Sequence, residues 1–157
     1  MIKEKLYVAR IGAVFNNDEA QVFGEYLDSK QLKTPVEILK DAETNEASPF
    51  WSFLEWDDTE AAERFRVSQV RNIVNHISIE IVYIDGETIT FDRAYEIVSV
   101  ESGREYIHIE EGLADKDIRM QIIRRALSNL QGWRKRYGEY KEFAGIAREI
   151  DALSETF

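Results

Sequence analysis

Apolar residues recur at helical spacing early in the chain, alternate strictly in its middle, and return to helical spacing near its end. Val22, Phe23, Tyr26 and Leu27 fall three and four apart, which predicts a helix over 18–30 capped by Asn17 or Asp18. Thr34-Pro35 starts a second helix over 35–44, because the first helical position tolerates a missing N–H. Ser48-Pro49 repeats that signal ahead of a short turn carrying Phe50, Trp51, Phe53 and Leu54. A third helix is predicted over 58–76, capped by Asp57 or Asp58, with acidic residues in the first turn to match its dipole. At about 100° per residue, Ala61, Ala62, Phe65, Val70 and Ile73 share one broad face. Glu60, Arg64, Arg71 and Asn75 share the opposite one.

After Asn75-His76 the period becomes two: Ile77, Ile79, Ile81 and Tyr83 alternate with Ser78 and Glu80. Asp85-Gly86-Glu87 marks a turn, a second β segment lies within 88–100, and Ser102-Gly103 joins it to a third over 104–110. In the third, Ile107 and Ile109 alternate with Tyr106, His108 and Glu110, so one face is expected to be wet. Asp115 caps a helix over 116–137, with Ile122, Ile123, Ala126, Leu127, Leu130, Trp133 and Tyr137 as its apolar stripe. Gly138 breaks it, and a last helix occupies 139–153. Short turns favour antiparallel pairing. The expectation is therefore an α+β fold: a three-stranded antiparallel sheet covered by the two long helices, with the shorter N-terminal helices packed alongside. Residues 1–157 read as a single domain, with 1–47 as an N-terminal helical subdomain and 48–157 as the main α+β body.

Composition narrows the chemistry. The 157 residues are 44% hydrophobic and 11% aromatic, enough for one ordinary core and too aromatic for a disordered acidic chain of net charge -10. With no cysteine, disulfides, thiolate metal sites and cysteine nucleophiles drop out. No run approaches the ~20 apolar residues of a membrane span, and Met1-Ile2-Lys3-Glu4-Lys5 carries no apolar signal run. A cytoplasmic protein without membrane contact is expected. Charge is uneven: 77–114 hold two basic and nine acidic residues, whereas 124–141 hold six basic and one acidic.

Four groups of residues carry candidate chemistry. Arg66 falls near the middle of the apolar face of the third helix, where a guanidinium needs acceptors. With Glu55, Asp57, Asp58 and Gln69 it reads as an internal ion-pair and cap cluster under Trp56, or else as a divalent-metal or partner site. Arg124, Arg125, Lys135 and Arg136 share the face of the late helix away from its apolar stripe, the two pairs about 16 Å apart. They read as a solvated helix face, as internal neutralisation of the acidic segment, or as phosphate contacts. Phe50, Trp51 and Phe53 are core aromatics or a docking patch. His76 and His108 lack ligand spacing, and the glycines form no phosphate-binding loop, so no metal, cofactor or catalytic residue is assigned. The first two helices and their break at Gln31-Leu32-Lys33 imitate a helix-turn-helix, but the segment is acidic.

The stretch SPFWSFLEWDDTEAAERFRVSQVRNIV, Ser48 to Val74, resembles a recurring segment of uncharacterised bacteriophage and prophage proteins with a Ser-Pro, Glu-Trp-Asp-Asp, Ala-Ala-Glu core. DRAYEIVSV (92–100), GREYIHIEEGLAD (103–115) and RKRYGEYKEFAGI (134–146) resemble later segments of the same proteins, in the same order. Leu54 stands where that family more often has an aromatic, and Val70 where it has Ala. The resemblance implies a temperate-phage origin and brings no activity, cofactor or catalytic residue with it. The functional expectation is a non-enzymatic phage or prophage accessory protein in the bacterial host cell. It would bind a host or phage macromolecule, preferably a protein, since the acidic middle would steer a basic partner. The alternative is a DNA-associated factor using the basic stripe. A homo-oligomer is compatible with both.

Overall fold

A computed structural model describes residues 1–56 and 60–157, with Glu60 and Ala61 described by backbone alone. The described residues form five strands and six α-helices: β1 (Ile2–Ala9), α1 (Asn17–Lys30), α2 (Pro35–Thr44), α3 (Glu60–Asn75), β2 (Ile77–Tyr83), β3 (Thr88–Phe91), β4 (Tyr95–Val100), β5 (Gly103–His108), α4 (Ile109–Ala114), α5 (Lys116–Tyr137) and α6 (Ala144–Thr156). The fold is α+β, and the chain forms two compact units, Met1–Ile109 and Glu110–Phe157. That division falls after Ile109 and not after residue 47; α1 and α2 belong to the first unit.

A three-stranded antiparallel sheet is present, but its strands differ from those expected. Its order is β1-β2-β3, with Tyr7 opposite Ile79 and Ile81 opposite Ile89. The strand that periodicity does not reveal is β1. The segment expected as one strand within 88–100 is two, β3 and β4. β4 pairs with β5 in a separate two-stranded hairpin, Tyr95 opposite His108. The last strand also stops early: at Ile109 the chain turns into α4.

Edge strands need their outer backbone groups covered or charged. On β1, α1 does the covering. Gln21 Oε1 accepts from Tyr7 N at 2.8 Å and Asn17 Oδ1 accepts from Ala9 N at 2.9 Å. Thus α1, one of the shorter helices, lies directly along the sheet. Its start is one residue earlier than the sequence suggests: Asn16 is the cap, in a reciprocal box with Glu19. Thr34 and Glu37 form the same box at α2, with Pro35 in the first helical position as expected.

The core of the first unit lies between the sheet and α1, α2 and α3. Ile77, Ile79 and Ile81 of the central strand are fully buried with Phe23, Ile38, Leu39, Phe50, Val70, Ile73 and Val74. Val22 and Phe65, expected on apolar faces, are exposed instead; Ala20 and Gly24 take the buried positions beside Phe23 on α1. Ala94 N donates to Ile77 O at 2.8 Å and Ile109 N to Ala94 O at 2.9 Å, so Ala94 ties the start of β2 to the residue that follows the β4–β5 hairpin.

The second unit is an antiparallel helical hairpin. Asp115 caps α5, accepting from Asp117 N and Ile118 N. A short 3-10 turn at Lys141–Phe143 leads into α6, so the last helix begins later and ends later than expected. Gln131 Nε2 donates to Ser154 Oγ at 3.0 Å and Arg134 Nε to Asp151 Oδ1 at 3.1 Å. Trp133 packs edge-on to Phe143, 5.1 Å between ring centres.

Candidate docking surface and buried polar clusters

Arg66 is 6% exposed, at the predicted place in the middle of the apolar face of α3. Its Nε donates to the Glu55 backbone carbonyl, and Gln69 Oε1 accepts from Glu55 N at 3.1 Å. The cluster therefore grips the backbone of Glu55, whose side chain is exposed. Trp56 covers the guanidinium at 5.2 Å, stacks on Trp51 at 5.7 Å and donates from Nε1 to Trp51 O at 2.9 Å. Glu55, Arg66 and Gln69 are thus brought together with Trp56; Asp57 and Asp58 lie outside the described residues. Among the described residues, no three His, Asp or Glu side chains converge as a metal site.

The three aromatics divide. Phe50 is fully buried, which corrects its place in a docking patch: its ring sits 4.7 Å from Phe23 in the core. Trp51 is half-buried in the tryptophan stack. Phe53 packs edge-on to Phe23 at 5.2 Å and lines two shallow grooves. One groove, about 320 Å³, runs between the start of α1 and the Pro49–Phe53 turn, with Val22, Pro49 and Phe53 as its apolar lining and Asp18 and Glu19 on its rim. The other, about 290 Å³, lies against α3 and is lined by Val14, Phe53, Phe65 and Ile73. Val14, Val22 and Phe65 are exposed, Phe65 by 56%. Sequence periodicity assigns Val22 and Phe65 to the core, which hides this surface.

A second cluster has no counterpart in the sequence patterns. Tyr7 on β1 and Tyr95 on β4 stack with ring planes 4° apart, and His108 on β5 stands edge-on to both. Asp28 at the end of α1 accepts from both hydroxyls, Tyr7 at 2.5 Å and Tyr95 at 2.8 Å; Tyr95 also reaches Gly24 O at 3.0 Å. His108 Nε2 is 3.2 Å from the Tyr7 hydroxyl. Since that hydroxyl directs its proton to Asp28, Nε2 is the donor in this contact. Gly24 leaves room for the Tyr7 ring: a Cβ at this position would overlap it. Burial, then the neighbouring Tyr7 and Asp28, raise the Tyr95 pKa far above the ordinary tyrosine value. The Tyr95 hydroxyl thus stays protonated and acts as a donor. The face of β5 expected to be wet is occupied: Tyr106 is buried and His108 half-buried. The one local hint is a histidine in an alternating strand; its partners come from three distant elements.

His76 donates from Nδ1 to Asn72 O at 2.7 Å, closing the last turn of α3. On α5, Arg124, Lys135 and Arg136 are exposed and Arg125 is half-buried. Arg134 bridges Asp151 and Glu139, and the Asp151 contact, larger than that of Glu139, raises its pKa.

No family model, curated protein or solved structure matches the chain.

No helix of the described residues is long and apolar enough to cross a membrane.

Proposed function

We propose that the protein is a non-enzymatic phage or prophage accessory factor that works by holding another protein on its first unit. The observation that carries this reading is the pair of grooves around Phe53, with Val14, Val22 and Phe65 exposed beside them. Exposed aromatic and aliphatic side chains around a firmly seated ring are the usual anchor of a protein interface. Residues 1–109 carry 11 basic and 21 acidic residues, and Asp18 and Glu19 border the groove. The fitting occupant is an apolar segment flanked by lysine or arginine. The resemblance of Ser48–Val74 to phage sequences supplies the biological setting.

Photo-crosslinking from position 65 in lysogenic cells, followed by reconstitution of the captured pair from purified components, tests the proposal. Val14→Asp and Phe65→Asp should each weaken the reconstituted complex tenfold or more, about 1.4 kcal/mol. A complex indifferent to both substitutions, or no specific cross-link, sinks it.

A DNA-associated factor is the second reading, favoured by the exposed Arg124, Lys135 and Arg136 on one helix. It requires a salt-dependent mobility shift of duplex DNA that Arg124→Glu with Lys135→Glu abolishes.

A further inference from the structure

The second unit has almost no interior. Within residues 110–157 only Gly112, Ala147 and Ile150 are buried, and α5 buries none of its 22 residues. Yet both helices are amphipathic, and Ile146 and Leu153 of α6 and Phe157 just after it are left about half exposed, at 51, 43 and 50%. A helix whose apolar stripe stays wet has not met its packing partner.

The placement of these stripes is specific. Gln131 and Arg134 mark the side of α5 that meets α6, and Asp151 and Ser154 mark the side of α6 that meets α5. At about 100° per residue, Leu130, Trp133 and Tyr137 lie to one side of that contact on α5. Ile146 and Leu153 on α6, and Phe157 where the helix ends, lie roughly 90–130° from it. Because the helices run antiparallel, both stripes turn to the same side of the hairpin. The result is one continuous apolar face, two helices wide, which is half of a four-helix bundle.

Charge selects the other half. α5 carries seven basic residues and one acidic; α6 carries one basic and three acidic. Residues 110–157 together hold nine of each sign. A second hairpin laid face to face with α5 over α5 would oppose two strongly basic helices. Laid with α5 over α6, each basic helix meets an acidic one, and every neighbouring pair is antiparallel. We propose that the second unit is a self-association module: two copies of the chain close a four-helix bundle with α5 of each over α6 of the other.

The Arg134–Asp151 contact sets which levels of the two helices match. Two residues farther along, Arg136 stands level with Glu149, each on the outer flank of its helix. A twofold axis parallel to the helices preserves those levels, so Arg136 of one copy comes beside Glu149 of the other at the rim. Arg136 is exposed, its guanidinium resting over Tyr137, and Glu149 is exposed as well. This face is built from residues of the second unit and the grooves around Phe53 from residues of the first, so the module does not rest on the function proposed above.

The full chain should sediment as a dimer at about 100 μM, where association tighter than the millimolar range is readily seen. Ile146→Asp and Leu153→Asp, both at exposed positions, should give monomers that keep their helical circular dichroism. Arg136→Glu and Glu149→Arg should each weaken the dimer several-fold, and the two together should restore it. A monomeric wild-type chain, a dimer untouched by the two Asp variants, or failure of the double charge reversal to restore association overturns the proposal.

Discussion

Replacing Tyr95 by Phe removes one hydroxyl and nothing else from the cluster that joins β4 to α1. The hydroxyl's single proton is shared between the Asp28 carboxylate and the Gly24 carbonyl, and both acceptors lose it. A hydrogen bond to a charged group contributes about 1.5–3 kcal/mol and a neutral one about 1 kcal/mol. Asp28 is exposed and regains water, so the net loss is set at about 2 kcal/mol at pH 8. The hydroxyl also fixes a pH dependence. Its folded pKa is raised, so its contribution is complete below the unfolded value of about 10 and declines as pH climbs toward the folded value. At pH 11 the unfolded tyrosine has ionised and the folded one has not, which lowers the stability of the native chain by about 1 kcal/mol through this group. The Phe variant lacks that loss. The gap between the two proteins should therefore shrink from about 2 kcal/mol at pH 8 to roughly half that or less at pH 11. Urea unfolding followed by tryptophan emission reads this directly. A Trp133→Phe background confines the signal to Trp51 and Trp56 of the first unit. A gap that stays constant or widens between the two pH values refutes the assignment of Tyr95 as a buried donor.

Gly24→Ala should destabilise the first unit by about 1–3 kcal/mol, because the new methyl overlaps the Tyr7 ring held between β1 and α1; an unchanged urea midpoint would remove Tyr7 from that position. Arg66→Ala should cost about 3 kcal/mol, since the Glu55 carbonyl loses its donor and Trp56 its packing surface. A melting temperature equal to wild type would place Arg66 on the surface.

Local signals are legible where one element decides them. Thr34-Pro35, Asp115 and the alternation from Ile77 to Ile81 each produce the element they predict. β1 is invisible because Lys3, Glu4 and Lys5 break its apolar pattern, and a strand at the border of a sheet tolerates such residues. Phe65 is misplaced because a helical wheel gives a direction, and a wide apolar stripe can exceed the surface available to cover it. Arg66 is legible because a guanidinium inside an apolar face demands acceptors, and among the described residues a main-chain carbonyl, that of Glu55, is one of them. The tyrosine–aspartate–histidine cluster is hinted at only by His108 in its alternating strand. It draws on β1, α1, β4 and β5, and no periodicity in the chain relates residues 7, 28, 95 and 108.

Because Tyr7 faces Ile79 in the sheet, the early strand is synthesised long before its mate. At about 5–20 residues per second, the nascent segment waits several seconds on the ribosome with one flank unsatisfied. The helix that emerges next already supplies two side-chain amides that cap the Tyr7 and Ala9 N–H groups on the opposite flank, so that part of the strand is closed to a neighbouring polypeptide during the delay.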